Sequence, residues 1–290
     1  MQLFLLDQIK VKKHQVIIST HSSILTEGLP NTAIKLFIDN KNSKFKVCEN
    51  INYQEAFFDL EERVADKKGI ICEDSSAKIL IERILHSMNI QQHFQVNYCS
   101  GGAESIIKKY IPIYATEEHY KNSFIILDGD KYHESINTDT IERKDLIDDI
   151  KLKKYTIQVY GFEVPIYIDG GICGSRIDQK CTTYIEYLNY HKNNIFYLPN
   201  AQIPEQIIIK SDYVKNRYSD ICNKFMPITV SNAKHVINDI SMKRGDLSID
   251  STIEALTTEL IDEDKVEEIS QIKNILNQIY NCDGVLLETI

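Results

Sequence analysis

Hydrophobic and polar positions along the chain alternate between two periods. Residues 124–127 (FIIL) form an uninterrupted apolar run, the habit of a strand covered on both faces in a parallel sheet. Residues 69–72, 94–99 and 195–198 are further candidate strands. Between the first two, residues 75–88 carry apolar side chains at 77, 79, 80, 81, 84, 85 and 88, a helical spacing, and a second helix is expected from about Ala103. Strand, helix, strand, helix, strand predicts right-handed βαβ units and a parallel sheet. Towards the C-terminus, residues 231–242, 250–260 and 265–280 have helical periodicity, with Ser231 and Asp250 as expected N-caps and Gly284 after the last helix. The fold class is therefore α/β, a parallel sheet flanked by helices with a helical C-terminal tail.

The first 65 residues read differently. Residues 15–20 (QVIIST) form a β-branched run ending at His21, residues 33–38 and 44–47 read as two short strands around a turn, and residues 53–65 as an amphipathic helix. A boundary is expected near 66–69. Three regions result: 1–65, a sheet domain over 66–225, and the tail over 226–290. Within the second, residues 131–194 read as an insertion shaping a substrate groove: a charged helix over 141–154, a β-hairpin over 156–168 broken at Gly161, and a flexible turn at 169–174.

Candidate chemistry collects where the strands end. Asp128 and Asp130 follow the FIIL run with Gly129 between them. In an extended chain residues two apart project to the same side, and glycine allows a sharp turn. Two neighbouring carboxylates repel unless a proton or a cation separates them, and hard divalent ions prefer such oxygen ligands. An ordinary Asp-Gly turn after a strand is the competing reading. Glu73 follows the 69–72 strand, so it shares the edge where parallel sheets bind ligands. Pro204 and Glu205 open the helix after the fourth strand; the competing role for Glu205 is to complement that helix dipole.

Composition narrows the class. The net charge of −9 argues against a DNA-coating protein but not against a nuclease, since cations at an acidic site supply the charge a phosphate needs. Seven cysteines without a CxxC pair argue against a disulfide framework or a zinc site. No apolar run is long enough to cross a bilayer and no signal-peptide pattern is present, so a cytoplasmic protein without a membrane partner is expected.

Three strings in this order, ICEDSSAKILIERIL, YCSGGAESI and FIILDGD, resemble a Toprim domain: a glutamate on the first strand, a glycine pair after the second, DxD on the third. The earlier string QVIISTHSSILTEGLP resembles the switch-histidine strand of the ABC-type ATPases in the overcoming-lysogenization-defect (OLD) nucleases. Together they resemble the C-terminal part of an OLD-family ATP-dependent endonuclease, over roughly residues 10–210. The resemblance implies a Toprim, Rossmann-like sheet preceded by a partial ABC ATPase segment. It implies DNA cleavage with Mg²⁺ or Mn²⁺ held by Glu73, Asp128, Asp130 and Glu205, the last in a segment, LPNAQIPEQI, that resembles the place of a further metal-binding acid. It also implies a lysine stabilising charge at the cut phosphate, with Lys243 and Lys234 as candidates, and a role in defence against phage. His21 would contact the γ-phosphate of ATP. No G-x-x-x-x-G-K-[ST] motif occurs, so ATP is expected only if a missing or partner ATPase half completes the site, and a homo-oligomer or a partner ATPase chain is expected. Where many Toprim domains have glycine after the glutamate and an acid four residues on, this chain has Asp74 and Ala77. A degenerate Toprim module that binds or senses without cutting is the alternative.

Overall fold

The computed structural model describes residues 9–20, 26, 29–39, 45–49, 67–117, 120, 122–167, 176–263 and 265–282. Contacts divide the chain into two compact units, Met1–Asp66 and Lys67–Ile290.

In the first unit β1 (Lys35–Asp39) and β2 (Phe45–Glu49) pair antiparallel, Phe37 opposite Val47. The strand expected over 15–20 does not form: residues 13–20 have no regular secondary structure, and Ile17 is 90% exposed. A β-branched run favours a pleated surface only when neighbours supply one, and among the described residues no strand pairs with it. His21 and the helix expected over 53–65 lie outside the described residues.

The second unit is built on a parallel sheet of β3 (Lys68–Cys72), β4 (Phe94–Tyr98), β5 (Ser123–Leu127) and β6 (Ile195–Tyr197), in the order β4-β3-β5-β6. The two central strands are apolar at successive positions because both their faces are covered. Their side chains sort by the two-residue period of a strand. Ile70, Cys72, Phe124 and Ile126 enter one core, while Ile71, Ile125 and Leu127 enter the other. Each such aliphatic side chain contributes roughly 1.5–3 kcal/mol by leaving water.

On the first face lies α1 (Ser75–Ser87), whose Ala77, Leu80, Ile81, Ile84 and Leu85 form one buried stripe. The same core receives α5 (Pro204–Ile209), α6 (Asp212–Arg217) and α7 (Ser219–Lys224), then α8 (Val230–Arg244), α9 (Ile249–Glu263) and α10 (Glu267–Asn281). The ammonium of Lys68 on β3 donates to the carbonyls of Ile279 and Tyr280 at 2.6 and 2.9 Å, capping the end of α10. The C-terminal helices thus belong to the sheet's own core. The other face is covered by α2 (Gly102–Tyr114), α3 (Asp149–Tyr160) and α4 (Ile177–Asn194).

In place of the hairpin expected over 156–168, residues 156–160 end a helix and 161–167 lie in neither helix nor strand. Helix α3 begins at the cap Asp148, which accepts from the amides of Ile150 and Lys151, and it runs to Gly161 at φ 79°. Leu152, Thr156, Val159 and Tyr160 are buried along it. Its three- and four-residue spacing outweighs the β propensity of the TIQVY run. The caps of the tail also differ by a few residues: Thr229, not Ser231, precedes α8, and Asp250 lies inside α9, accepting a hydrogen bond from Ser75. The sheet, its helical layers and the helical C-terminal part are those of a Toprim-like α/β fold.

Candidate functional site

Strand register brings the acids together. Cys72 pairs with Ile126, so Glu73 emerges from β3 level with Leu127, one residue before Asp128. The Asp128 amide donates to Glu73 Oε2 at 3.3 Å. From the other side comes the glycine pair, Gly101 and Gly102 at φ 117° and 74°, which start α2. A Cβ on Gly102 would stand 3.6 Å from Glu73 Oε1. The Ala103 amide that follows helps hold the Glu73 carboxyl down against burial. Both glycines occupy the left-handed region that β-carbons disfavour, which is why the turn takes this sequence.

Gly129 serves a different purpose from the one its sequence suggests. Residues Gly129–Lys131 form a 3-10 turn, so Asp128 and Asp130 are not side by side on an extended strand. Asp128 is buried, whereas Asp130 is exposed and pairs with Lys131 at 2.7 Å. A Cβ at position 129 would approach the Leu198 carbonyl to 2.4 Å and the Gln202 amide nitrogen to 2.6 Å. The glycine is there so that the 198–202 segment can lie against it, tied by a Gly129 amide bond of 2.9 Å to the Gln202 carbonyl. In that segment Asn200 and Ala201 both have positive φ, 59° and 53°, a conformation that costs a β-carbon residue about 1–2 kcal/mol.

That close approach leads directly into α5 and Glu205. The glutamate is 3% exposed, with Pro204 at the first helical position. Its Oε1 accepts from Ser76 at 2.7 Å, and Lys234 on α8 lies 3.9 Å away. Lys234 sits closer to Asp74, at 2.8 Å, while Asp74 also caps α1 through the Ala77 amide at 3.0 Å. Asp74 is therefore committed to a cap and an ion pair, and the position four residues after Glu73 is the buried Ala77. Lys243 goes elsewhere: its ammonium holds both Asp220 oxygens, at 2.8 and 2.9 Å, and lies over the Tyr218 ring. Of the two candidate lysines, the fold brings Lys234 to the acids. Lys131 was not singled out from the sequence, yet Glu73 and Asp128 help raise its pKa after its bond to Asp130. Its position next to DGD was the available signal.

Electrostatics sets Asp128 apart. Burial first, then the charges of Glu73, Asp74, Glu205 and Asp130, push its carboxyl up to about 8. Burial also raises Glu73 and Glu205, against the bonds from the Asp128 amide and Ser76 respectively. Burial lowers the Lys234 ammonium, but Asp74, Glu205 and Asp128 outweigh it and the net shift is upward. Among the described residues no group of three or more His, Cys, Asp or Glu side chains could hold a metal ion as it stands. The donor chemistry nevertheless suits a hard divalent cation, because Asp128 Oδ1 and Glu205 Oε2 are buried without a hydrogen-bond partner. An unpaired carboxylate oxygen in a dry setting is costly unless a proton or cation meets it.

No protein-family model matches this chain, and no curated protein does. Among solved structures, the C-terminal region of the OLD protein of Xanthomonas campestris pv. campestris is similar over 73% of this chain and 94% of that one, at 14% identity and a TM-score of 0.29.

Proposed function

We propose that the protein is a divalent-cation-dependent nuclease that hydrolyses DNA phosphodiester bonds, with Glu73, Asp128, Asp130 and Glu205 as the groups that hold Mg²⁺ or Mn²⁺. The observation that carries this is Asp128, a buried acid at a sheet's C-terminal edge, unpaired at Oδ1 and surrounded by other acids. Such a group takes a proton or a cation, and at neutral pH a divalent ion relieves the repulsion among several carboxylates at once. The bound ion supplies charge neutralisation at the phosphate and an acidified water. The protein's own groups do the rest. The backbone amide of Asp128 fixes Glu73, Ser76 fixes Glu205, and Lys234 and Lys131 bring positive charge next to the acids.

DNA as the substrate, phage defence, and control by a partner ATPase chain through His21 follow from the sequence resemblance and belong to the same proposal. The test is plasmid cleavage in Mg²⁺ or Mn²⁺. Asp128→Ala and Glu73→Ala should each lose on the order of 10²-fold or more; variants that cut like the parent would overturn the assignment. One observation favours a second reading, a module that binds without cutting: Asp74 is occupied as a cap and Ala77 stands where a further acid is usual. Calorimetric titration with Mn²⁺ separates the two, since a degenerate module shows no tight site.

A further inference from the structure

Against the turn after Asp128 lies a groove of about 480 Å³, lined by Gly129, Tyr132, Phe196, Tyr197, Pro199 and neighbouring residues of β6 and the following turn. Its size is that of ordinary small-ligand sites. It lies against β6, an edge strand bonded only to β5 among the described strands. Three features define its chemistry. Every lining residue is uncharged, so the groove suits an aromatic face better than a phosphate. Tyr132 is 63% exposed and its ring meets Tyr197 edge to face at 5.2 Å. Tyr197 is itself fixed from behind by a 3.0 Å bond between its hydroxyl and His191 Nε2. The groove also reaches the turn that carries two of the acids. Gly129, between Asp128 and Asp130, forms part of the wall, and the Tyr132 amide closes the turn on the Gly129 carbonyl at 3.2 Å.

We infer that this groove receives an unstacked nucleobase next to the phosphate to be cut, with Tyr132 as the stacking surface, so that the substrate is DNA with single-stranded character at the site. The inference rests on the nuclease reading and adds the substrate class. A base inside a duplex has no free face to offer a tyrosine, whereas any unpaired base does, and stacking of this kind is tolerant of sequence. An extended peptide on the β6 edge is the other occupant of comparable shape. It is disfavoured because the wall includes the residue that joins the two aspartates.

The test compares two fluorescent oligonucleotides of identical backbone, one of twelve deoxythymidines and one of twelve abasic sites, by anisotropy in Ca²⁺ with the full chain. The parent should bind the thymidine oligomer about tenfold more tightly. Tyr132→Phe should keep that preference and Tyr132→Ala should erase it, while circular dichroism shows both variants folded. Equal binding of the two oligomers by the parent, or an undiminished preference in Tyr132→Ala, overturns the inference. Neither outcome touches the nuclease reading, which stands or falls on plasmid cleavage by Asp128→Ala.

Discussion

Glu205 and Glu268 are almost equally buried, 3% and 4% exposed, yet the molecule treats them in opposite ways. Glu268, in the first turn of α10, accepts from Asn200 at 2.7 Å and from the Lys210 ammonium. Burial alone would raise its pKa, but those two donors overcome it and the carboxyl is lowered. Glu205 has one hydroxyl donor, a lysine at the limit of contact and one unpartnered oxygen, and its carboxyl is raised. Burial alone therefore does not set the direction of a buried acid's shift; the completeness of its partners does. The two are also linked, because Asn200, at positive φ, belongs to the 198–202 segment whose backbone lies against Gly129. Glu268 anchors the segment that leads to Glu205.

The sharpest way to break this contrast is to neutralise each glutamate. Glu268→Gln should cost about 1.5–3 kcal/mol in urea unfolding, the loss of a charged hydrogen-bond centre. Glu205→Gln should leave cation-free stability unchanged or higher, while weakening Mn²⁺ binding at least tenfold by calorimetry. Equal stability losses in the two variants would erase the distinction.

Gly129→Ala probes the link. The new Cβ would collide with backbone of the 198–202 segment, so a destabilisation of about 1–3 kcal/mol is expected, together with weaker Mn²⁺ binding, because Glu205 is carried by the displaced chain. A variant with parental stability and affinity would show that the close approach is dispensable.

A smaller effect should appear in the pH dependence of thermal unfolding. With its folded pKa raised from 3.8 to about 8, Asp128 binds a proton in the folded state that the unfolded chain has released. Its contribution is complete at low pH and fades as pH rises towards 8. His191 has the opposite sign: burial lowers it from 6.5 to about 4, so its contribution is complete above 6.5 and is lost as pH falls towards 4. Between pH 4 and 6.5 the two oppose. From 6.5 to 8 the melting temperature of the cation-free protein should fall, and Mn²⁺ should raise it more at pH 8 than at pH 6.5. A flat profile in Asp128→Asn would confirm the source, and an unaltered slope would locate it elsewhere.

The least effect belongs to Lys243→Ala. Its partner Asp220 is an exposed carboxylate, and such ion pairs contribute about 0–1 kcal/mol. Cleavage should remain near parental while Lys234→Ala loses tenfold or more; the reverse pattern would return the role to Lys243.

Much of this was legible in the residues because local rules govern it. Unbroken apolar runs and three- to four-residue stripes were enough to expect the parallel sheet, α1, and the tail helices, since a strand's two faces and a helix's one face must each find cover. The same rules put Glu73 and Asp128 on one edge. They failed over 156–160, where β-branched residues serve a helix because tertiary packing uses its buried stripe, and over 15–20, where no strand forms.

What the sequence could not contain is which partners arrive from far along the chain. Lys234 and Lys243 look alike as charges, and only the packing of α8 sends one to Asp74 and the other to Asp220. Gly129 looks like a turn glycine, and only the arrival of residues 198–202 makes it a point of close approach. By itself the sequence determined the sheet strands, α1, the tail helices and the edge on which Glu73 and Asp128 stand, because those depend on neighbours within a few residues. The tertiary structure decided which acids are satisfied and which are left with an unpaired oxygen, because desolvation and pairing depend on atoms that only folding brings near.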